Sequence, residues 1–368
     1  MRVVMLSTDR KLFEPGSAVA ERMIEYGSVL GDLQLVVMAG RHEKITLSEH
    51  VTIHSTNSSS RWLYITDAIA LIVKLNRQKK ADWISAQDPF ETGLAAFIAN
   101  IFVKTKLQLQ LHTDVFSPFF SKSSFFNQSR VVLAKFLLPR ASGIRVVSQK
   151  IYESLTSGPL VLSPEKITVL PVFIDAEKFQ AQEIKDNLKQ KYSSFDQIIL
   201  MASRLEPEKD FGTALQAFQY VLTQKPKTGL IIVGAGTLEK RINNLIQELG
   251  LTDNVVVLPW TTDLYSYYKT ADIFLLTSLY EGYGRTLIEA AIAGLPFIST
   301  KVGCAEDLVD LGVAGSVVPV GDSRALSSVI VNFLDHERKQ TENRLSESIH
   351  FLTKEQFLDR YLASFSFK

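Results

Sequence analysis

One cysteine, Cys304, stands in a chain of 368 residues, which excludes an intrachain disulfide and suits a reducing compartment. No run approaches the ~20 apolar residues that a membrane-spanning helix needs. The apolar start from Met1 to Ser7 is too short for the hydrophobic region of a secretory signal and reads as a first strand. These absences point to a cytoplasmic protein, or to one held peripherally on the cytoplasmic face of a membrane. Internal repeats and low-complexity tracts are missing as well. No cluster of His, Cys, Asp and Glu has metal-ligand spacing, so no metal is expected. The turn from Ser7 to Lys11 lacks the glycines that a nicotinamide-dependent dehydrogenase would need there.

Net charge is nearly absent: 40 Lys+Arg against 39 Asp+Glu leave +1. The charge is unevenly spread. Residues 1–175 carry 20 basic and 15 acidic residues, the remainder carries 20 and 24, and residues 101–150 alone carry 8 and 1. Such an asymmetry is a clue to an anionic partner. Nucleic acid is the poorer reading, because the rest of the charge is balanced. The same stretch holds Phe116, Phe119, Phe120, Phe125 and Phe126 within 11 residues, followed by Arg130, Lys135 and Arg140. Residues 115–140 read in two ways, as aromatics that fill a core beneath a basic helix face, or as an interfacial surface for anionic lipid.

The chain is long for one core, and two domains are expected. Strand-like and helix-like runs alternate throughout, which argues for parallel sheets covered by helices. In the first half, strands are expected at 3–6, 33–37, 51–54, 83–86, 107–111, 143–147 and 167–170. Helices are expected there at 17–26, 62–75, 91–101 and 127–138. Strands resume at 198–202, 230–233, 255–258, 273–277, 297–299 and 316–318. The polar stretch from Asp175 to Gln197 reads as the linker. The expected division is residues 1–175, residues 176–350 and a C-terminal helix within 351–368.

What the sequence does contain is a pair of carboxylates, Glu281 and Glu289, set in Glu281-Gly282-Tyr283-Gly284 followed by a helical run to Ala293. The apolar run before them reads as a buried strand, and Gly294 and Pro296 close the helix. Glu281 therefore belongs to a strand-to-helix loop and Glu289 to the helix. An open helix N-terminus behind two glycines offers N–H groups to an anion. Two carboxylates around an anion site suit a ligand with a phosphate end and a hydroxyl-rich end, such as a nucleotide sugar.

This stretch resembles the Glu-x7-Glu motif of the retaining glycosyltransferases of family 4. The resemblance implies a GT-B fold, two Rossmann-like parallel-sheet domains facing a central cleft. It implies that Glu289 receives the ribose hydroxyls of the donor and that Glu281 faces the donor sugar. The backbone of Gly282, Tyr283 and Gly284 would then hold hydroxyl and phosphate oxygens. Arg285 replaces the family's usual apolar residue and receives no role. The segment from Ser203 to Asp210 is similar to the family's G-R-L-x-x-x-K-G, which gives Arg204 and Lys209 the diphosphate. Gly234 and Gly236 would close the nucleotide pocket. His112, after an apolar strand, resembles the family's histidine near the reaction centre, with Asp114 a weaker candidate. Gly16 stands where the family has a Gly-Gly loop, and Glu306 follows a glycine near the donor.

The implied activity is transfer of a hexose-type sugar from a UDP- or GDP-sugar to a hydroxyl of a glycan or lipid-linked acceptor. No cofactor beyond that donor is implied. A nucleotide-sugar 2-epimerase and a non-catalytic sugar-nucleotide-binding protein remain as alternatives on the same fold.

Overall fold

The computed structural model describes residues 1–42, 44–336 and 352–366. It divides into two units, one formed by Met1–Pro171 together with the segment from Leu352, the other beginning at Val172.

The first unit is built on β1 (Arg2–Ser7), β2 (Asp32–Val37), β3 (Ile45–Ser48), β4 (Val51–Ser55), β5 (Trp83–Ala86), β6 (Lys106–Leu111), β7 (Gly143–Val146) and β8 (Ile167–Val169). Their order across the sheet is β3-β4-β2-β1-β5-β6-β7-β8. All neighbours are parallel except β3, which runs antiparallel to β4 at the edge. The periodicity gave no sign of β3, whose four residues are only partly covered. The helix expected at 17–26 is Ala18–Leu30, capped by Ser17 accepting from the Ala20 N–H and ended by Gly31 at φ 87°. The helix Lys354–Ala363 packs in this unit, where Tyr361 stacks on Tyr26 with ring centroids 3.8 Å apart.

The second unit contains β9 (Gln197–Ala202), β10 (Thr228–Val233), β11 (Val255–Leu258), β12 (Ile273–Leu276), β13 (Phe297–Thr300) and β14 (Gly315–Val318). The sheet is wholly parallel in the order β11-β10-β9-β12-β13-β14. Alternation along the strands feeds two cores. Ile198, Leu200 and Ala202 face one, with Phe274 and Leu287; Ile199 and Met201 face the other, with Phe218 and Ile330.

The division falls after Pro171, not at Asp175, and the stretch from Asp175 to Gln197 is not a free linker. Ile174 and Leu188 are buried in the core that Ile198, Leu200 and Ala202 face. The Lys185 N–H also donates to Ser266 Oγ and the Leu188 N–H to Thr270 Oγ1. Two short helices, Ala176–Gln180 and Leu188–Lys191, supply that packing from a polar sequence in which only a few side chains point inward.

Candidate functional site

In a parallel sheet, the loops leaving neighbouring strands emerge at the same edge. Strands β9, β10, β12 and β13 are neighbours, so the segments after Ala202, Val233, Leu276 and Thr300 come together. Side chains and backbone then stitch them. Thr277 Oγ1 donates to the Lys209 carbonyl at 2.8 Å, and the Leu279 N–H donates to the Glu208 carbonyl at 2.8 Å. Thr300 Oγ1 donates to the Ser278 carbonyl at 2.6 Å. The Cys304 N–H donates to the Tyr283 carbonyl at 2.8 Å.

Within this frame Lys209 Nζ sits 2.5 Å from Glu281 Oε1, and Ser278 Oγ donates to the same oxygen at 2.8 Å. Both partners of the ion pair are largely withdrawn from solvent. Gly303, at φ 55°, passes so close that a Cβ would lie 2.4 Å from the Tyr283 carbonyl oxygen and 3.3 Å from Glu281 Cβ. Only glycine lets the loop after β13 approach this way. Gly284, at φ 84°, opens the helix Arg285–Ile292, and no side chain caps it.

Glu289 lies one turn into that helix and is buried. Its two oxygens are held separately: Arg285 Nε donates to Oε1 at 2.8 Å and Tyr268 OH donates to Oε2 at 3.1 Å. Arg285 thus has a partner that the i,i+4 spacing on a helix could have shown. Desolvation, and then the Glu289 carboxylate, raise the Tyr268 pKa well above its ordinary value, so its hydroxyl stays a donor. A carboxylate has about four lone-pair sites, which leaves two free after these contacts.

Arg204 is 73% exposed and pairs with Glu208 at 2.8 Å. Gly234 and Gly236 are required by the fold itself: a Cβ at either would strike the backbone of Ser203 or Leu205 at 2.0 and 2.4 Å. They allow the two loops to lie against each other, while the Thr237 N–H and hydroxyl donate to the Glu206 carboxylate. Glu306 lies in the first turn of the helix Ala305–Asp310 and pairs with Lys301 at 2.6 Å. Cys304 is buried, and desolvation raises its thiol pKa, which leaves a neutral side chain rather than a nucleophile. Among the described residues, no group of three or more His, Cys, Asp or Glu is placed to hold a metal.

In the first unit His112 follows β6 directly, and its Nε2 lies 3.3 Å from Gln110 Oε1. His112 is exposed to solvent, and desolvation of its ring, then the cations Arg145 and Arg22, lower its pKa. Asp114 is buried and accepts from the Phe116 N–H at 3.3 Å. Gly16, at φ 79°, has open space around its Cβ position.

Residues 115–140 form the helices Pro118–Ser123 and Phe125–Leu137. Phe120 is not part of an exposed aromatic surface. It is 5% exposed and stacks on Phe90 at 5.9 Å. Phe119, Phe125 and Phe126 are exposed. Arg130 pairs with Glu91 at 2.9 Å, and Arg140 lies 3.9 Å from the Phe136 ring centroid. No described helix is long and apolar enough to cross a membrane.

Two parallel-sheet α/β units with this site define a GT-B fold, and known proteins agree. HepE from Anabaena, solved in complex with UDP and glucose, superposes with a TM-score of 0.74 at 20% identity, covering 100% of this chain and 99% of that one. Residues 184–349 match the family described as glycosyl transferases group 1. UDP-Gal:alpha-D-GlcNAc-diphosphoundecaprenol alpha-1,3-galactosyltransferase of Escherichia coli is 29% identical over 182 residues, 48% of this chain and 47% of its own length. Alpha-monoglucosyldiacylglycerol synthase of Streptococcus pneumoniae is 26% identical over 298 residues, 77% of this chain and 66% of its own. The alignments therefore span about half to two thirds of these relatives.

Proposed function

We propose that the protein is a retaining glycosyltransferase that moves a hexose-type sugar from a UDP- or GDP-sugar to a hydroxyl of a lipid-linked or glycan acceptor. One observation carries the reading: strand-end loops hold a Lys209–Glu281 pair beside an uncapped helix N-terminus, with Glu289 one turn behind it. Glu289 uses its remaining lone pairs for the cis-diol of the nucleotide ribose. Lys209 and Arg204 neutralise the diphosphate, and their positive charge makes the transfer independent of a metal. Glu281 orients the sugar, with the backbone of Gly282, Tyr283 and Gly284 as further contacts. Gly234, Gly236 and Glu306 line the donor site less directly, and Gly16 offers its backbone to a phosphate. His112 meets a substrate hydroxyl.

In the proposed step the acceptor oxygen bonds to the anomeric carbon as the bond from that carbon to the phosphate oxygen breaks. The acceptor proton passes to an oxygen of the departing diphosphate. The names of the relatives support a lipid-bound acceptor, since one acts on a diphosphoundecaprenol and another is a diacylglycerol glycolipid synthase. The exposed Phe119, Phe125 and Phe126 with Lys122 and Lys135 would hold the protein peripherally on an anionic membrane face.

The test is turnover with a panel of UDP-, GDP-, ADP- and CMP-sugars, with and without bacterial lipid acceptors, in EDTA, with NMR of the product anomer. Acceptor-dependent release of UDP or GDP with retained configuration supports the proposal. Conversion of donor alone into an epimer, or an inverted product, counts against it.

A further inference from the structure

The sequence Lys106-Leu107-Gln108-Leu109-Gln110-Leu111 alternates as a strand with one wet face would, yet Gln108 and Gln110 are both buried. That face lies under the C-terminal segment, and it carries a chain of hydrogen bonds. Gln108 Nε2 donates to the Ser364 backbone carbonyl at 2.8 Å. Ser85 Oγ donates to Gln108 Oε1 at 3.0 Å, and Gln110 Nε2 donates to Ser85 Oγ at 2.8 Å. Gln110 Oε1 then faces His112 Nε2 at 3.3 Å.

The direction of each bond is determined by the first. A backbone carbonyl can only accept, so the amide nitrogen of Gln108 must face Ser364. Its oxygen must then face Ser85, whose hydroxyl donates to it and accepts from Gln110. Gln110 is left presenting an acceptor to the histidine. Reversing either amide would set oxygen against oxygen in a buried place, Gln108 at the Ser364 carbonyl and Gln110 at Ser85 and Gln108, at a cost of a lost bond and an unsatisfied group.

We infer that the Ser364 carbonyl, acting through Gln108, Ser85 and Gln110, fixes the tautomer of His112 with its proton on Nε2, leaving Nδ1 to accept from a substrate hydroxyl. Gln108 and Gln110 are thus positioning residues. The inference rests on the proposed role of His112 in contacting substrate. Arg145, the register partner of Gln110 on β7, supports it. Arg145 is itself buried, and its charge disfavours imidazolium at His112.

The test is histidine-selective ¹⁵N NMR on the full chain, with His112 assigned by its loss in His112→Asn. The wild type should show one neutral ring with Nε2 protonated at pH 7. Gln110→Met should give mixed tautomers, with kcat lower by about tenfold, as a misplaced group gives, and KM for donor little changed. Gln108→Met, further from the ring, should also mix them and provides a second variant should Gln110→Met not fold. A wild-type ring protonated on Nδ1 or doubly protonated at pH 7 overturns the inference. So does a single Nε2–H form retained in both variants. A wild-type ring as expected, with His112→Asn turning over at the wild-type rate, overturns the use of Nδ1 and the reading of His112 while the tautomer assignment stands.

Discussion

Lys209 and Glu281 lie 72 positions apart and meet at 2.5 Å, one from the loop after β9 and one from the loop after β12. The pair is mostly sheltered from solvent, so each charge depends on the other. Lys209→Met and Glu281→Gln should each lower stability by about 1–3 kcal/mol in urea unfolding. The double variant should lose less than the sum of the two, by about 0.5–3 kcal/mol. Each single variant should lower transfer by roughly 10²-fold or more. Additive losses, or a Glu281→Gln protein with the wild-type rate, would contradict the pairing and the assignment respectively.

Gly303 is a geometric requirement at the same place. Its φ of 55° and the 2.4 Å approach of a Cβ to the Tyr283 carbonyl oppose any side chain. Gly303→Ala should cost more than the ~1–3 kcal/mol of a strained backbone residue alone. Gly321→Ala, with φ 78° and open space, supplies the comparison. Equal urea midpoints for the two variants would show that the close approach is not maintained.

The first unit should respond to acid through His54. Desolvation, then the cations Lys44, Arg2 and Lys74, lower its pKa to about 4 from 6.5. Below pH 6.5 the unfolded chain binds this proton before the folded one does, so stability is lost as pH falls from 6.5 towards 4. His54→Gln should flatten that part of the curve. Urea unfolding at pH 7.5 and pH 5 measures it, and parallel curves for wild type and variant would refute the assignment.

The exposed aromatics of the helix Phe125–Leu137 should be needed for binding to anionic vesicles. Phe125→Ser combined with Phe126→Ser should reduce co-sedimentation severalfold, since each buried aromatic contributes kcal/mol-scale transfer energy. Phe120→Ser should instead lower stability, because that ring packs on Phe90. Equal, negligible binding by wild type and the double variant would remove the membrane proposal.

The positions of the strands other than β3 and the Glu281–Glu289 helix were legible because β-period and helix-period patterns are local. The parts that were not legible depend on distant chain. Gln108 and Gln110 are covered by the segment around Ser364, 256 positions from Gln108, which no local pattern along β6 contains. Asp175 to Gln197 reads as linker because its few inward side chains, such as Leu188, find their core only in the folded second unit. Phe120 and Phe125 are alike in sequence; only the neighbouring Phe90 separates the buried one from the exposed one. Arg285 is the opposite case, since its i,i+4 relation to Glu289 is a local feature of the sequence.

In the proposed transferase the second unit holds a nucleoside diphosphate through Lys209 and Glu289. Isothermal titration of the full chain with UDP and with GDP measures this directly. At least one should bind the wild type, and Glu289→Gln should weaken that binding by at least about tenfold, the loss of roughly 1.4 kcal/mol. Failure of the wild type to bind either nucleotide, or unchanged affinity in Glu289→Gln, would contradict it.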